Sequence, residues 1–167
     1  MNHAAEKSIF NRIEKKLADE GIRIESKETG RPWGGYFVID ENSTSQFIKT
    51  YFGEITDSLT KNSKKNIRPK ILLVAPGARL SWQYHHRRSE VWEVAEGPVG
   101  VITSENDSEG DQKVLEKGDT IKLHVGLRHR LIGLDNWGVV AEIWIHEFAD
   151  NPSDETDIIR ITDDYGR

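Results

Sequence analysis

From Lys70 to the C-terminus the chain is a series of short apolar runs, each closed by a turn signal. That punctuation constrains the fold more than any other feature. The runs fall at residues 71–75, 91–95, 99–103, 120–123 and 139–145. They are separated by Pro76-Gly77, Glu96-Gly97-Pro98, Ser108-Glu109-Gly110, Lys117-Gly118-Asp119 and Asp135-Asn136. Runs this short, at spacings of about 8–12 residues, predict an all-β sandwich or small barrel. Residues 36–39, Tyr-Phe-Val-Ile, make one further strand candidate.

Ahead of Lys70 the apolar spacing is helical in two places. Ile9, Ile13 and Leu17 fall at i, i+4 and i+8, and Phe10 widens the stripe. This predicts an amphipathic packing helix over 8–20, with Ser8 as N-cap and Gly21 as stop. Residues 45–60 carry Phe47, Ile48, Tyr51, Phe52, Ile55 and Leu59 on one broad face and predict a second helical stretch. Residues 60–66 are polar without periodicity and read as a solvated loop, and residues 150–157 as an acidic surface loop.

Composition narrows the chemistry. A length of 167 residues fits one domain. With no cysteine there is no disulfide, thiolate zinc site, iron–sulfur cluster or Cys nucleophile, so any metal must be held by His, carboxylate or amide groups. A net charge of −5 argues against a general nucleic-acid binder. No apolar run approaches the roughly 20 residues that span a bilayer. The N-terminus lacks the apolar core of a signal peptide, so the expected compartment is the cytoplasm. There is no G-x-S-x-G elbow and no P-loop Lys-Ser/Thr motif.

The stretch from Gly77 to Gly97 carries the densest chemistry. Gln83 and His85 are two apart, which on a strand sends both side chains to one face. A hairpin can return Glu90 to that face, and a third strand after Gly118 can bring His129 alongside. Gln83, His85, Glu90 and His129 would then form a mixed N/O set for one divalent metal, with positions left open to water or substrate. His86 should point away on a regular strand, His124 reads as structural, and nothing supports a role for His146.

These stretches resemble the two motifs of the cupin superfamily. Gly77, His85, Glu90 and Gly97 match the first motif, with Gln83 where its first His stands. Gly118, Gly126 and His129 match the second, with His124 in place of its Pro and Gly133 in place of its Asn. The run from Pro76 to Trp92 is similar to the cupin domain of type II mannose-6-phosphate isomerases, which hold a metal by Gln, His, Glu and His. Arg31-Pro32-Trp33-Gly34, Gly126-Leu127-Arg128-His129-Arg130-Leu131, Asp157-Ile158-Ile159-Arg160 and Asp164-Tyr165-Gly166-Arg167 fit the same family. The resemblance implies a double-stranded β-helix, a jelly-roll barrel, over residues 31–167. Residues 1–30 would be an N-terminal helical extension, and the helical stretch near 45–60 an insertion. Full-length members carry a nucleotidyltransferase domain ahead of the cupin, and about thirty residues before Arg31 leave no room for one. Small cupins of this kind are also named phosphoheptose isomerases and commonly pair through strand edges, which implies a homodimer.

The activity implied is a metal-dependent aldose–ketose isomerisation of a sugar phosphate, of mannose-6-phosphate or phosphoheptose type, through an enediolate. Zinc is the first choice of metal, with manganese, iron, cobalt or nickel as alternatives. Lys70 matches a Lys of the family, and Glu142 lies in a last strand resembling the family's; these two are the candidate bases. Strand parity alone lets Glu142 face either the barrel or solvent. Arg79, Arg87, Arg88, Arg128 and Arg130 crowd the motifs, and guanidinium forks suit phosphate. Arg79, Arg87 and Arg88 are the candidate phosphate ligands, unless they pair with nearby carboxylates. Trp92, two residues after Glu90, would wall the sugar site or simply fill the core. The competing readings are a non-catalytic sugar- or anion-binding cupin and a metal-dependent oxygenase.

Overall fold

A computed structural model describes residues 3–55, 59 and 67–166. The elements in chain order are α1 (His3–Asp19), β1 (Ile24–Arg31), β2 (Gly34–Ile39), α2 (Thr44–Tyr51), β3 (Ile67–Val74), β4 (Trp82–Tyr84) and β5 (Arg88–Glu96). They continue with β6 (Val99–Ser104), β7 (Lys113–Leu115), β8 (Thr120–Leu123), β9 (Arg128–Gly133), β10 (Gly138–His146) and β11 (Ile159–Thr162). Two antiparallel sheets result. One runs β1-β2-β3-β10-β5-β8 and the other β11-β4-β9-β6-β7. This is the double-stranded β-helix of the cupins, with helices outside the barrel.

The central strands of the larger sheet, β2, β3, β10 and β5, are buried on both faces, which explains their long apolar runs, while the edge strands β1 and β8 are largely exposed. Val140 and Glu142 of β10 face the barrel interior along with Leu72, Val74, Trp92 and Val94. Val139, Ala141 and Ile143 face outward into a second core with Ile71 and Leu73. Helix α1 covers that outer face with Ile9, Phe10, Ile13 and Leu17, and α2 adds Phe47, Ile48 and Tyr51. Burying each such side chain stabilises the fold by about 1.5–3 kcal/mol.

Local chemistry sets the helix ends. Gly21 takes φ +74. Its N–H bonds Ala18 O at 3.0 Å, and the Ile22 N–H bonds Leu17 O at 2.8 Å. This is the paired closure of a helix by a left-handed glycine, with Leu17 and Ile22 in one apolar cluster. Helix α2 stops at Tyr51, and a 3₁₀ turn follows at Gly53–Ile55. The expected helical stretch is therefore broken early, and part of its end, with most of the expected 60–66 loop, lies outside the described residues.

Strand β1 carries no apolar alternation and was not expected. Only backbone pairing to β2 makes it a strand, with Lys27 opposite Phe37 and Glu28 opposite Tyr36. The expected boundary between residues 30 and 31 thus cuts a hairpin. Gly34 closes that hairpin at φ +130, where a Cβ would lie 2.0 Å from Leu73 O.

Candidate metal centre and adjoining cavity

Strand pairing assembles the site from both sheets. In the larger sheet Lys70, Glu142 and Trp92 are cross-strand partners, and in the next row Trp144 faces Glu90. In the smaller sheet Arg160 pairs Gln83, and Gln83 pairs His129. Alternation along β5 turns Arg88, Glu90 and Trp92 to the same side. The parity left open for Glu142 is resolved inward, because it lines the barrel cavity and its strand neighbours Ala141 and Ile143 lie in the outer core.

Potential ligand atoms of His85, Glu90 and His129 lie within 4.8 Å of one another, all three side chains buried. His85 Nε2 is 3.1 Å from Glu90 Oε1, and His129 Nε2 is 3.6 Å from Glu90 Oε2. Each imidazole is oriented from behind. His85 Nδ1 lies 2.9 Å from Asp157 O, and His129 Nδ1 lies 2.9 Å from Leu127 O. A backbone carbonyl at each Nδ1 leaves Nε2 of both rings facing Glu90, the usual support of a metal-bound histidine. His129 Nε2 is buried without a hydrogen-bond partner. An orphaned acceptor beside a carboxylate and a second imidazole fits a divalent cation.

Electrostatics agree with that geometry. Burial pushes Glu90 up, but His85 and Arg88 outweigh it and hold the carboxyl well below its usual range. Burial pushes His129 down to about 4, which leaves it neutral and able to bind a cation at physiological pH. Glu142 goes the other way, to about 8, through burial and then the nearby charge of Glu90.

A cavity of about 90 Å³ adjoins the cluster, and Glu90 belongs to both. Gln83, Arg88, Trp92, Lys70, Glu142 and Trp144 line it. Gln83 accepts from Ser81 Oγ at 2.6 Å through Oε1, the atom it would offer a metal. Trp92 Nε1 donates to Glu142 Oε1 at 3.0 Å and lies 3.1 Å from Glu90 Oε2. Lys70 Nζ pairs with Glu155 Oε1 at 2.6 Å and rests 3.6 Å from the Trp144 ring centroid.

The arginines divide in a way their positions in the sequence do not reveal. Arg88 is buried, donates to Glu90 Oε1 at 2.7 Å and lies over the Trp144 ring. Its Nη2 is 3.2 Å from His85 Nε2. Arg79 bonds Asp164, and Arg87 bonds Asn151, Pro152 O and Asp154; neither lines the cavity. Arg128 pairs with Asp107 and Arg130 with Glu109. The guanidinium groups that line the cavity beside Arg88 are Arg31 and Arg160. Both sit in stretches that the sequence singled out as family motifs, but nothing there marked them as pocket residues. His86 packs edge-on to Tyr84, the exposed His124 lies 3.1 Å from Glu105, and His146 Nδ1 accepts from Ser153 N–H.

The family model described as mannose-6-phosphate isomerase C-terminal matches residues 50–163. Mannose-1-phosphate guanylyltransferase of Salmonella montevideo is 30% identical over 161 residues, 96% of this chain and 27% of that protein. The alginate biosynthesis protein AlgA of Pseudomonas putida is 30% identical over 155 residues, 91% of this chain and 26% of that protein. The chain therefore spans about a quarter of the length of the curated relatives it matches. Among solved structures, the capsular polysaccharide assembling protein CapF from Staphylococcus aureus superposes with TM-score 0.56 at 13% identity, over 81% of this chain and 32% of that one. KdgF from Halomonas sp. superposes with TM-score 0.52 at 13% identity, over 75% and 92%. At such identities the likeness shows the fold alone.

Proposed function

The chain belongs to the mannose-6-phosphate isomerase C-terminal family, and from that premise we propose that it is a metal-dependent aldose–ketose isomerase of a sugar phosphate. The observation that carries this reading is Glu90, shared between the His85–Glu90–His129 cluster and a cavity holding a carboxyl raised to about 8. His85, Glu90 and His129, with Gln83 beside them, are the residues to hold the ion, zinc being the first choice. When bound, such an ion supplies Lewis acidity to the sugar's carbonyl and hydroxyl oxygens.

The chain's own residues supply the rest. Interconversion takes a proton from C2 and returns one to C1, while a hydroxyl proton moves between O2 and O1. Glu142 is the group for the carbon-bound proton. A carboxyl near 8 populates both its acid and base forms around neutral pH, as a group that takes and then returns a proton requires. The Trp92 N–H holds its Oε1 in place. Trp33, Trp92 and Trp144 wall the cavity and limit water at the reacting carbons. Lys70 is engaged with Glu155 and an aromatic ring, which suits a positioned cation better than a free base.

A non-catalytic sugar- or anion-binding module is the second reading. It draws support from Arg88, which already occupies Glu90 and His85. Incubating zinc-loaded protein with mannose 6-phosphate and with heptose phosphates in deuterated water, followed by NMR, separates the two. Isomerisation with deuterium appearing at the exchanged carbon is expected. Stoichiometric zinc with no conversion of any sugar phosphate would overturn the isomerase reading.

A further inference from the structure

We propose that Lys70, Arg31 and Arg160 form a phosphate-monoester subsite in the barrel cavity, and that Glu155 holds it as a displaceable stand-in anion until the ligand arrives. This rests on the sugar-phosphate reading above and names how that site recognises its substrate.

The arginines crowding the motifs are mostly committed. Arg79, Arg87, Arg128 and Arg130 each have a carboxylate partner outside the cavity, and Arg88 is held by Glu90 and Ser153 Oγ. The cations left facing the cavity are Arg31, Arg160 and Lys70. Arg160 makes no ion pair among the described residues. Arg31 Nε is buried without a hydrogen-bond acceptor, and its ion pair is with the part-exposed Glu28 at 3.2 Å.

The Lys70–Glu155 pair is asymmetric. The Lys70 side chain is 4% exposed and the Glu155 side chain 58%. Lys70 is fixed from the barrel side by the Trp144 ring at 3.6 Å and the Tyr36 ring at 4.7 Å. Glu155 comes from a three-residue 3₁₀ turn whose ends are pinned elsewhere. Asp154 accepts from Thr156 N–H, and Asp157 accepts from the His86 and Arg87 N–H groups. The Glu155 side chain can therefore swing into water without moving the turn or the His85 support. The cavity at about 90 Å³ is also well below the roughly 300–1,000 Å³ of ordinary ligand pockets, so a side chain must leave for a sugar to enter. Once Glu155 withdraws, the Lys70 ammonium loses its anion in a cavity that Arg31 and Arg160 also line. A phosphate monoester, with two negative charges and three terminal oxygens, matches that set.

Titration calorimetry on the full chain, with inorganic phosphate, mannose 6-phosphate, mannose and a hexuronate as probes, tests this. Glu155→Gln removes the competing anion and is expected to tighten phosphate and mannose 6-phosphate about tenfold while leaving mannose unchanged. Asp150→Asn, the same charge change on the neighbouring loop, is expected to leave all four unchanged. Arg160→Gln alters an exposed side chain that cannot unfold the barrel, and should weaken both phosphate ligands about tenfold. Unchanged or weaker phosphate binding in Glu155→Gln would overturn the proposal, as would a hexuronate bound more tightly than mannose 6-phosphate. Tightening by Glu155→Gln without any turnover would sink the isomerase and keep the subsite. Turnover with affinities indifferent to Glu155 would sink the subsite alone.

Discussion

Arg88 and Glu90, two residues apart on one strand, are joined at 2.7 Å inside the barrel, and the same guanidinium reaches to 3.2 Å from His85 Nε2. A buried carboxylate needs a cation, and in the metal-free protein Arg88 is that cation. Arg88→Met should therefore destabilise the metal-free protein by about 3–5 kcal/mol, because Glu90 loses its partner in a low-dielectric site. Added zinc should restore most of that loss, since it replaces the missing charge on the same oxygens. Urea unfolding with and without zinc measures both. A variant as stable as wild type without metal would show that Glu90 does not depend on Arg88.

Metal content separates the buried imidazole from the exposed one. Glu90→Ala and His129→Ala each remove an atom of the cluster and should abolish stoichiometric zinc, while His124→Ala, on the surface beside Glu105, should keep it. Elemental analysis after gel filtration reads the outcome. Full zinc in the His129 variant would place the ion elsewhere.

Glu142 gives the fold an unusual pH dependence. Between about 4.5 and 8 the folded protein keeps a proton on Glu142 that the unfolded chain has released, so stability falls as pH rises through that window. His129 opposes it lower down. Between about 4 and 6.5 the unfolded chain binds the extra proton, and stability rises with pH there. From about 6.5 to 8 the Glu142 effect runs without that opposition. Metal-free wild type should lose up to about 1.4 kcal/mol per pH unit over this range, and Glu142→Gln should flatten the decline. Denaturation midpoints at a series of pH values check it; parallel curves for the two proteins would contradict it.

The same substitution bears on turnover. With metal bound, Glu142→Gln should retain sugar-phosphate affinity and lose a factor of about 10²–10⁴ in kcat. A change confined to KM would assign the carboxyl to binding.

Gly34→Ala tests the hairpin that carries Arg31 and Trp33 to the cavity. The new methyl would meet Leu73 O at 2.0 Å in a backbone region that side chains avoid. A loss of about 3 kcal/mol or more is expected in thermal or urea unfolding. A near-neutral outcome would mean that the β2–β3 pairing shifts freely.

The strands that bury apolar faces were legible because turn signals bracket them. β1 was not, since Ile-Glu-Ser-Lys-Glu-Thr-Gly-Arg has no alternation and becomes a strand only through β2. The His85–Glu90–His129 cluster was legible from motif spacing, since the three side chains converge, and Gln83 is the cross-strand neighbour of His129. The cations that line the cavity were not legible. Arg79 and Arg128 stand among the motifs, yet carboxylates 85 and 21 residues away take them up, while Arg160 reaches the cavity from the last strand.

By itself the sequence determined the strands of the barrel and the motif spacing that carries His85, Glu90 and His129. Turn placement and side-chain alternation act over a few residues, so local order suffices to specify them. Only the tertiary structure decided which charges are spent on one another and which face the cavity. That depends on pairings between residues distant in the chain, whose strength is set by burial. The short apolar runs set the strands, and their register across two sheets made a site of them.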